Sequence, residues 1–297
     1  MKINPNSEYA ILIDGGYITH VVMFSAFAKW LKQDGRYEIN ASDLNENLKL
    51  TQFPSFLEQL ENSFYFCFRN LEENLFQKRL RDYKVENFPK FFINECRTKD
   101  NWRAAVLPEY KAQRKLTPKK FNSKDVFGYI ENFLQSSIIK EKFNLHFFQY
   151  KYNEADDVIA ILCNYVFKKQ KRILISTDND FVQLGEGIHQ FDIRGEPIAR
   201  DKLYPGKEFT TEQFKLLKIL IGDKGDNIMN VKKGWGVQSC IELVEDNNKL
   251  VEFLKDKQCF ENFKRNSTLI DFNNIPKENI IGVLEEYKKF VSDREIL

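Results

Sequence analysis

Cysteine and histidine are scarce in this chain of 297 residues. The five cysteines form no Cys-x-x-Cys pair and are odd in number, and the three histidines lie far apart in sequence. This inventory excludes zinc sites of the His-Glu-x-x-His and Cys/His types, and it disfavours a histidine-based triad. It fits free thiols in a reducing compartment. Any demanding chemistry in this protein must therefore rest on carboxylates.

Long apolar runs and low-complexity segments are also missing. With only 13 glycines and 8 prolines, the chain is neither collagen-like nor typical of disordered proteins. No run approaches the ~18 consecutive apolar residues of a membrane-spanning helix. The polar N-terminus lacks the apolar centre of a signal peptide. We therefore expect a globular protein of the cytoplasm that has no membrane partner.

One basic stretch interrupts an otherwise balanced charge. The formal net charge is +2, but residues 97–124 contain nine lysines and arginines against two acids. A local basic run inside a nearly neutral chain is typical of a contact with a polyanion. A solvated loop is the alternative explanation.

Short apolar runs alternate with helical patterns over the first 200 residues, and the later residues are mainly helical. Buried strands are predicted at 9–14, 90–94, 145–148, 172–177 and, more weakly, 188–193. Helices are predicted at 17–31, 53–81, 124–139, 153–169 (capped by Asn153), 210–221 and 238–245. This alternation predicts an α/β fold with a parallel sheet flanked by helices. We predict an α/β core at 1–200 and a helical C-terminal region at 201–297.

Acidic residues follow the predicted strands at the same end. Asp14 ends the first strand, Glu95 follows the second, and Asp178 and Asp180 follow the fourth. Because ligands bind beyond the carboxyl ends of parallel strands, we expect these side chains to lie at one edge of the sheet.

Two further segments add acids to this set. The start of a helix carries Glu154, Asp156 and Asp157, of which the first and last share a face, and a glycine-containing loop carries Asp223 and Asp226. Crowded like charges are stable only beside cations, and hard carboxylate oxygens suit Mg²⁺ or Mn²⁺. Two such ions ~4 Å apart clamp the attacking and leaving oxygens of a phosphodiester. Each acid alone is also explained as a helix cap or turn residue, so the argument rests on their joint position.

The segment 222–236, with the sequence GDKGDNIMNVKKGWG, separates two predicted helices. Gly234 and Gly236 open the second helix, where backbone N–H groups can receive a phosphate. A helix–turn–helix of this kind holds one duplex strand without reading the bases. An ordinary helical hairpin is the alternative.

Five motifs occur in an order that resembles the 5′-nuclease (flap endonuclease) superfamily, and within it the phage ribonuclease H type. They are ILID at 11–14, YKxxR at 110–114, EADD at 154–157, STDND at 176–180 and GDKGDNI at 222–228. The resemblance extends over roughly residues 8–290. It implies a PIN-like core, a basic helical arch at about 96–124 and a C-terminal helix–turn–helix region.

The resemblance also implies cleavage of DNA or RNA near 5′ ends with two Mg²⁺ ions, Mn²⁺ being the alternative. The first ion would be bound by Asp14, Glu154, Asp156 and Asp157, with Glu95 in place of a usual aspartate, and the second by Asp178, Asp180, Asp223 and Asp226. The implied catalytic residues are Lys111 and Arg114, which would contact the scissile phosphate, together with Asp14 and Asp178.

Contacts with nucleic acid are implied for a larger set. Tyr17, Trp102 and Tyr110 are candidates for stacking on an unpaired base, with core packing as the alternative. The other expected contacts are Arg103, Lys115, Lys119, Lys120, Lys232, Lys233, Gly234 and Gly236. The turn at 231–236 is one residue longer than the usual Val-x-Gly-x-Gly, and in relatives it can also bind a monovalent cation.

The leading hypothesis is a nuclease that removes RNA primers and 5′ flaps in phage DNA replication, as a monomer in the host-cell cytoplasm. Its substrates would be flap or forked DNA and RNA–DNA hybrid, with a single-stranded-DNA-binding protein or a sliding clamp as the candidate recruiting partner. A structure-specific DNA-binding protein that has lost catalysis is one alternative, suggested by Asn94 at the end of the second strand. A PIN-like ribonuclease acting on single-stranded RNA is another, although the segment 222–236 suits a duplex.

Overall fold

A five-stranded sheet forms the centre of the computed structural model, which describes residues 9–83, 88–95, 101–116, 118–198 and 209–295. The strands are β1 Tyr9–Asp14, β2 Lys90–Ile93, β3 Leu145–Phe148, β4 Lys171–Ile175 and β5 Ile188–Phe191. The α-helices of the described residues are α1 Gly15–Gln33, α2 Gly35–Glu38, α3 Pro54–Asn70, α4 Trp102–Val106, α5 Ser123–Leu134, α6 Ser137–Phe143, α7 Ala155–Ile161, α8 Thr211–Ile221, α9 Val237–Glu245, α10 Asn247–Phe253, α11 Lys257–Ile270 and α12 Lys277–Glu295. Two π-helical segments, Leu71–Arg79 and Leu162–Val166, continue α3 and α7.

Every neighbouring pair of strands is parallel, in the order β3-β2-β1-β4-β5. The predicted parallel α/β fold is therefore confirmed. From β1 the chain first builds outward through β2 and β3, and then crosses to the other side of β1 to form β4 and β5. This reversal leaves a crevice beyond the ends of β1 and β4, where open α/β sheets bind their ligands.

The central strand β1 is buried on both faces, which explains its continuous apolar sequence. Because successive side chains point to opposite faces, Ile11 and Ile13 enter the core formed with α1 and α3. Ala10 and Leu12 enter the core formed with α7 and α12. The last residue, Asp14, emerges at the edge of the sheet.

Helix α1 begins directly after β1 through a tight junction. The side chain of Asp14 accepts a hydrogen bond from the Tyr17 N–H, at 3.0 Å, and so caps the helix. A side chain on Gly15 would place its Cβ 2.5 Å from the carbonyl oxygen of Ile93 in β2. Glycine is therefore required for the helix to pass so close to the neighbouring strand.

Several predicted helix bounds differ from the structure. The helix predicted from Asn153 begins after Glu154, whose side chain makes no capping hydrogen bond, and the buried Asn153 side chain bonds to Asp157 and Asn279 instead. The single helix predicted at 124–139 is two helices, α5 and α6, because the chain turns at Gln135 and Ser136. The predicted boundary near residue 200 lies outside the described residues and stays a prediction.

The C-terminal region contains the predicted pair of helices α8 and α9, which are joined by residues 222–236. They share a small core that includes Leu217, Val231 and Ile241. The final helix α12 packs on the central sheet instead, with Tyr287 against Phe148 at 6.1 Å between ring centroids. Among the helices described, none has the length and apolar character needed to cross a membrane.

Candidate active site

A cleft of about 470 Å³ lies beyond the ends of β1, β2 and β4. Its lining includes seven of the nine acids predicted as metal ligands, together with the two basic residues of the YKxxR motif. These residues are Asp14, Glu95, Asp156, Asp178, Asp180, Asp223 and Asp226, with Lys111 and Arg114. The sheet, α7 and the loop after α8 thus bring together carboxylates that are far apart in sequence.

Asp14 is held at the mouth of β1 by hydrogen bonds to both carboxylate oxygens. Ser176 Oγ donates to Oδ2 at 2.7 Å, and the Tyr17 N–H donates to Oδ1. Burial raises the pKa of Asp14, and the nearby charge of Glu95 adds to this rise. Ser176 belongs to the STDND motif but was not among the predicted site residues. Its position at the end of β4, next to β1, was the signal that would have identified it.

The acids after β4 are positioned by a 3₁₀ turn, Asn179–Leu184. Asp178 caps this turn by accepting the Asp180 N–H at 2.8 Å. Burial and the charge of Asp180 raise the pKa of Asp178 to about 7. Lys218 on α8 lies 2.6 Å from Asp180 Oδ1 and 3.5 Å from Asp223 Oδ2. This lysine was missed because it lies outside the recognised motif, one turn before Gly222.

The loop after α8 turns sharply to place its two acids toward the cleft. Asp223 accepts the Gly225 N–H at 2.7 Å and so caps the short turn Lys224–Asp226. Gly222 has φ +73°, and a Cβ there would lie 2.4 Å from the Ile228 carbonyl oxygen. The glycine before Asp223 is therefore a requirement of the turn.

The basic residues of the YKxxR motif contact these acids directly. The ammonium of Lys111 forms ion pairs with Glu154 and with Asp226, the latter at 3.9 Å. The backbone N–H of Lys111 donates to the carbonyl oxygen of Asp226 at 3.0 Å. Arg114 lies 2.5 Å from Asp226 Oδ1. Burial alone would lower the pKa of Lys111, but the charges of Glu154 and Asp226 hold it above its ordinary value. The ammonium is therefore charged at neutral pH.

Two acids of the EADD motif, Glu154 and Asp157, do not line the cleft. Glu154 lies behind the cleft wall, where its carboxylate is bound by Lys111, Tyr110 and Arg103. Asp157 is fully buried, and Arg103 occupies both of its oxygens. The predicted metal-binding role of Asp157 stays a prediction, and in this arrangement both of its oxygens are already hydrogen-bonded.

Arg103 is buried, and the three aromatic candidates for base stacking are half-buried. Arg103 is 3% exposed, which disfavours its predicted contact with nucleic acid. The Tyr110 hydroxyl lies 2.7 Å from Glu154 Oε2 and 2.9 Å from Asp226 Oδ2. The Tyr17 hydroxyl accepts the Ile193 N–H at 3.2 Å, and Trp102 Nε1 donates to Asp157. All three aromatic side chains are half-buried, and Tyr17 also lines the cleft, so stacking on a base stays a prediction beside the alternative of core packing.

The remaining predicted contacts lie at two exposed places. Lys119 and Lys120 line a second cavity of about 900 Å³, which adjoins the acidic cleft at Glu95 and Arg114. Lys232, Lys233, Gly234 and Gly236 are exposed in the loop before α9. The side chain of Lys115 lies outside the described part of the structure.

The donor set of the cleft fits a hard divalent cation. Its oxygens come from crowded carboxylates, since the charge of Glu95 helps to raise the pKa of Asp14 and the charge of Asp180 helps to raise that of Asp178. Among the described residues, no three acidic side chains converge on one point closely enough to hold an ion. Several instead pair with the basic groups of Lys111, Arg114 and Lys218.

Comparison with known proteins supports the family resemblance that was inferred from the order of the motifs. A family profile described as the N-terminal resolvase-like domain of 5′-3′ exonucleases matches residues 10–214. The ribonuclease H of Enterobacteria phage T4 is 29% identical over 154 residues, which cover 46% of this chain and 49% of the phage protein. A 5′-3′ exonuclease of Mycoplasmopsis pulmonis is 25% identical over 235 residues, covering 77% of this chain and 64% of that protein. The chain thus matches about half of the first relative and just under two thirds of the second.

Solved structures show the same fold. A flap endonuclease of bacteriophage T5, in a pseudo-enzyme–product complex with DNA and metal ions, superposes with a TM-score of 0.58 at 20% identity. The superposition covers 96% of this chain and 97% of the T5 protein. Because the family profile matches more than half of its length, the chain belongs to the 5′-3′ exonuclease family, within the 5′-nuclease or flap endonuclease superfamily.

Proposed function

We propose that this protein is a Mg²⁺-dependent 5′→3′ exonuclease and flap endonuclease with ribonuclease H activity. In this proposal it removes RNA primers and 5′ flaps during phage DNA replication, in the cytoplasm of the host cell. The observation that carries the proposal is the meeting of seven carboxylates with Lys111 and Arg114 in one cleft. Membership of the 5′-3′ exonuclease family and the similarity to the ribonuclease H of phage T4 support the same activity.

The proposed metal ligands form two groups by their position in the fold. Asp14, Glu95 and Asp156 would hold the first ion, and Asp178, Asp180, Asp223 and Asp226 the second, directly or through water. Bound Mg²⁺ would supply an activated water and neutralise charge on the phosphate oxygens. The T5 5′-exonuclease has been crystallised with divalent metal ions bound, zinc in one structure, which supports a divalent metal here.

Glu95 is proposed to take the place of the aspartate that is usual after β2. Asn94 is 6% exposed, and its N–H donates to the Phe148 carbonyl oxygen at 2.9 Å. Glu95 lines the cleft instead, close enough to Asp14 for its charge to raise the pKa of that acid. In this proposal the longer side chain of glutamate would reach the place expected of an aspartate one residue earlier.

Lys111 and Arg114 would bind the phosphodiester. Both side chains reach Asp226 at the cleft wall, and both are charged. Fixed positive groups beside a phosphate stabilise the negative charge that develops during cleavage. Lys119 and Lys120 line the adjoining cavity, and the exposed loop before α9 would hold a duplex arm.

The first experiment is cleavage of two 5′-labelled substrates, a 5′-flap DNA and an RNA-primed duplex, with Mg²⁺ and then with EDTA. We expect short labelled products only with Mg²⁺, and their lengths distinguish exonuclease from flap cleavage. Tight flap binding without cleavage would refute the enzymatic proposal in favour of a binding protein. Preferential cleavage of single-stranded RNA would instead support a PIN-like ribonuclease.

A further inference from the structure

A fully buried ion pair lies directly behind the acidic cleft. Arg103 and Asp157 are 3% and 0% exposed. The two terminal guanidinium nitrogens of Arg103, Nη1 and Nη2, donate to the two carboxylate oxygens of Asp157, at 2.8 Å and 2.7 Å. This parallel, charge-assisted geometry is the strongest arrangement that the two groups can form.

Other side chains complete the surroundings of Asp157. Trp102 Nε1 donates to Oδ2 at 2.9 Å, and Asn153 Nδ2 lies 3.4 Å from the same oxygen. Asn153 is in turn held by Asn279 of α12, at 2.9 Å. The contacts on Asp157 thus come from donors behind the cleft, and the residue does not line the cleft.

Arg103 extends this set of contacts to the cleft wall. One of its nitrogens lies 3.2 Å from Glu154 Oε2, and its Nε donates to the Leu269 carbonyl oxygen at 2.9 Å. Glu154 also accepts from Tyr110, and its other oxygen pairs with Lys111. Arg103 therefore links Asp157 to the carboxylate that contacts Lys111.

A buried ion pair contributes little net stability, because desolvation of both charges offsets their attraction. Its value lies in fixing geometry when every hydrogen-bonding position is occupied. We infer that Arg103 and Asp157 are positioning residues, which hold Glu154, and through it Lys111, at the cleft wall. Asp157 is then neither a metal ligand nor a reacting group, and Arg103 does not touch nucleic acid. The reaction that this arrangement serves rests on the proposed function.

The first test measures the affinity for Mn²⁺ by titration, in the absence of nucleic acid. The double variant Arg103→Met with Asp157→Leu removes both charges together, so that neither is left buried without its partner. Asp156→Asn is the matched control, because Asp156 is the neighbouring acid that lines the cleft. We expect the control to weaken Mn²⁺ binding at least ~10-fold and the double variant to stay within ~3-fold of the wild type. Loss of one bound ion in the double variant would overturn the inference.

The second test separates positioning from a purely structural role. In single-turnover cleavage, we expect the double variant to lose at least ~10-fold in rate with little change in substrate affinity, because Lys111 remains but is misplaced. Cleavage at the wild-type rate would contradict the inference.

A third measurement does not depend on activity, so it distinguishes failure of this inference from failure of the proposed function. Urea unfolding is measured for Glu154→Gln in the wild type and in the double variant. If Arg103 holds Glu154, the shift in the unfolding midpoint caused by Glu154→Gln will be smaller in the double variant. Equal shifts would show that the residues are not coupled, whether or not the wild type cleaves nucleic acid.

Discussion

Three acids of the cleft, Asp14, Asp178 and Asp223, also cap the turns or helices that follow them. Each of these three acids therefore acts as a cap, and this capping role is compatible with its place in the cleft. Capping fixes the direction of each side chain at the point where the chain leaves a strand or helix. A carboxylate fixed in this way loses little further entropy when it binds a cation.

Asp178→Asn tests the metal assignment without removing the cap. Asparagine is as good a capping residue as aspartate, so we expect stability to change little. We expect cleavage to fall by at least ~10²-fold, because one charged oxygen ligand is lost. The measurement is single-turnover cleavage of a 5′-flap DNA, with binding of the same DNA as the control. Cleavage at the wild-type rate would show that the assignment is wrong.

Lys111→Ala tests whether this lysine acts mainly in the reaction. We expect a loss of ~10²–10³ in turnover with a smaller loss in duplex affinity, because the charge acts where negative charge develops. Lys120→Ala is the matched control, since this exposed lysine should mainly lower affinity and its dependence on salt. Both are measured by steady-state kinetics and by binding. Equal losses in turnover and affinity for Lys111→Ala would reduce it to a binding residue.

At the scale of elements, the site depends on junctions where a strand or helix ends. The turn from β1 into α1 needs Gly15 because β2 lies too close for a side chain. The turn from α8 into the acidic loop needs Gly222 because of its positive φ and the nearby Ile228 carbonyl oxygen. These junctions direct Asp14 and Asp223 toward the cleft.

Gly222→Ala should therefore destabilise the protein more than Gly234→Ala does. Both glycines have positive φ, +73° and +82°, but only Gly222 has backbone atoms within 3 Å of the added Cβ. We expect ~1 kcal/mol of lost stability for Gly234→Ala, from backbone strain alone. The loss for Gly222→Ala should exceed this, because the added Cβ also forces the loop to shift. Urea unfolding measures both, and equal losses would refute the role given to close contact.

On the scale of the whole molecule, the C-terminal helix joins the layer that covers the sheet. Helix α12 packs on β2 and β3, with Tyr287 beside Phe91 and Phe148 at 5.9 Å and 6.1 Å between ring centroids. The preceding helix α11 contacts the loop after α8 through Asn266, which is fully buried and donates to the Met229 carbonyl oxygen at 2.8 Å. The last helices thus connect the sheet with the loop that carries the second group of acids.

Tyr287 provides a test of this packing. We expect Tyr287→Ala to lower the free energy of unfolding by ~3–5 kcal/mol, as for other large side chains removed from a core. Tyr287→Phe should be neutral or stabilising, because the buried hydroxyl has no hydrogen-bond partner among the described residues. Both are measured by urea unfolding. A large loss for Tyr287→Phe would show that the hydroxyl has a role that the structure does not reveal.

Sequence reasoning succeeded where the signal was local. All five strands lie within about two residues of their predicted bounds, because continuous apolar runs and the following acids are features of neighbouring residues. It failed for Asn153, which resembled a helix cap but bonds to Asn279, 126 residues away. Lys218 and Ser176 were missed for the same reason, since their importance comes from partners on other elements.

The sequence by itself determined the parallel sheet and the edge at which the acids gather. The acids follow the strands directly in the sequence, and the alternation of strands and helices indicates parallel strands, whose carboxyl ends meet at one edge. Only the tertiary structure decided which acids face the cleft and which are buried behind it. Asp156 and Asp157 are neighbours on one helix, and their different surroundings depend on Arg103, which is 54 residues from Asp157 in sequence. The burial of that arginine depends on packing among separate elements, which no local pattern encodes.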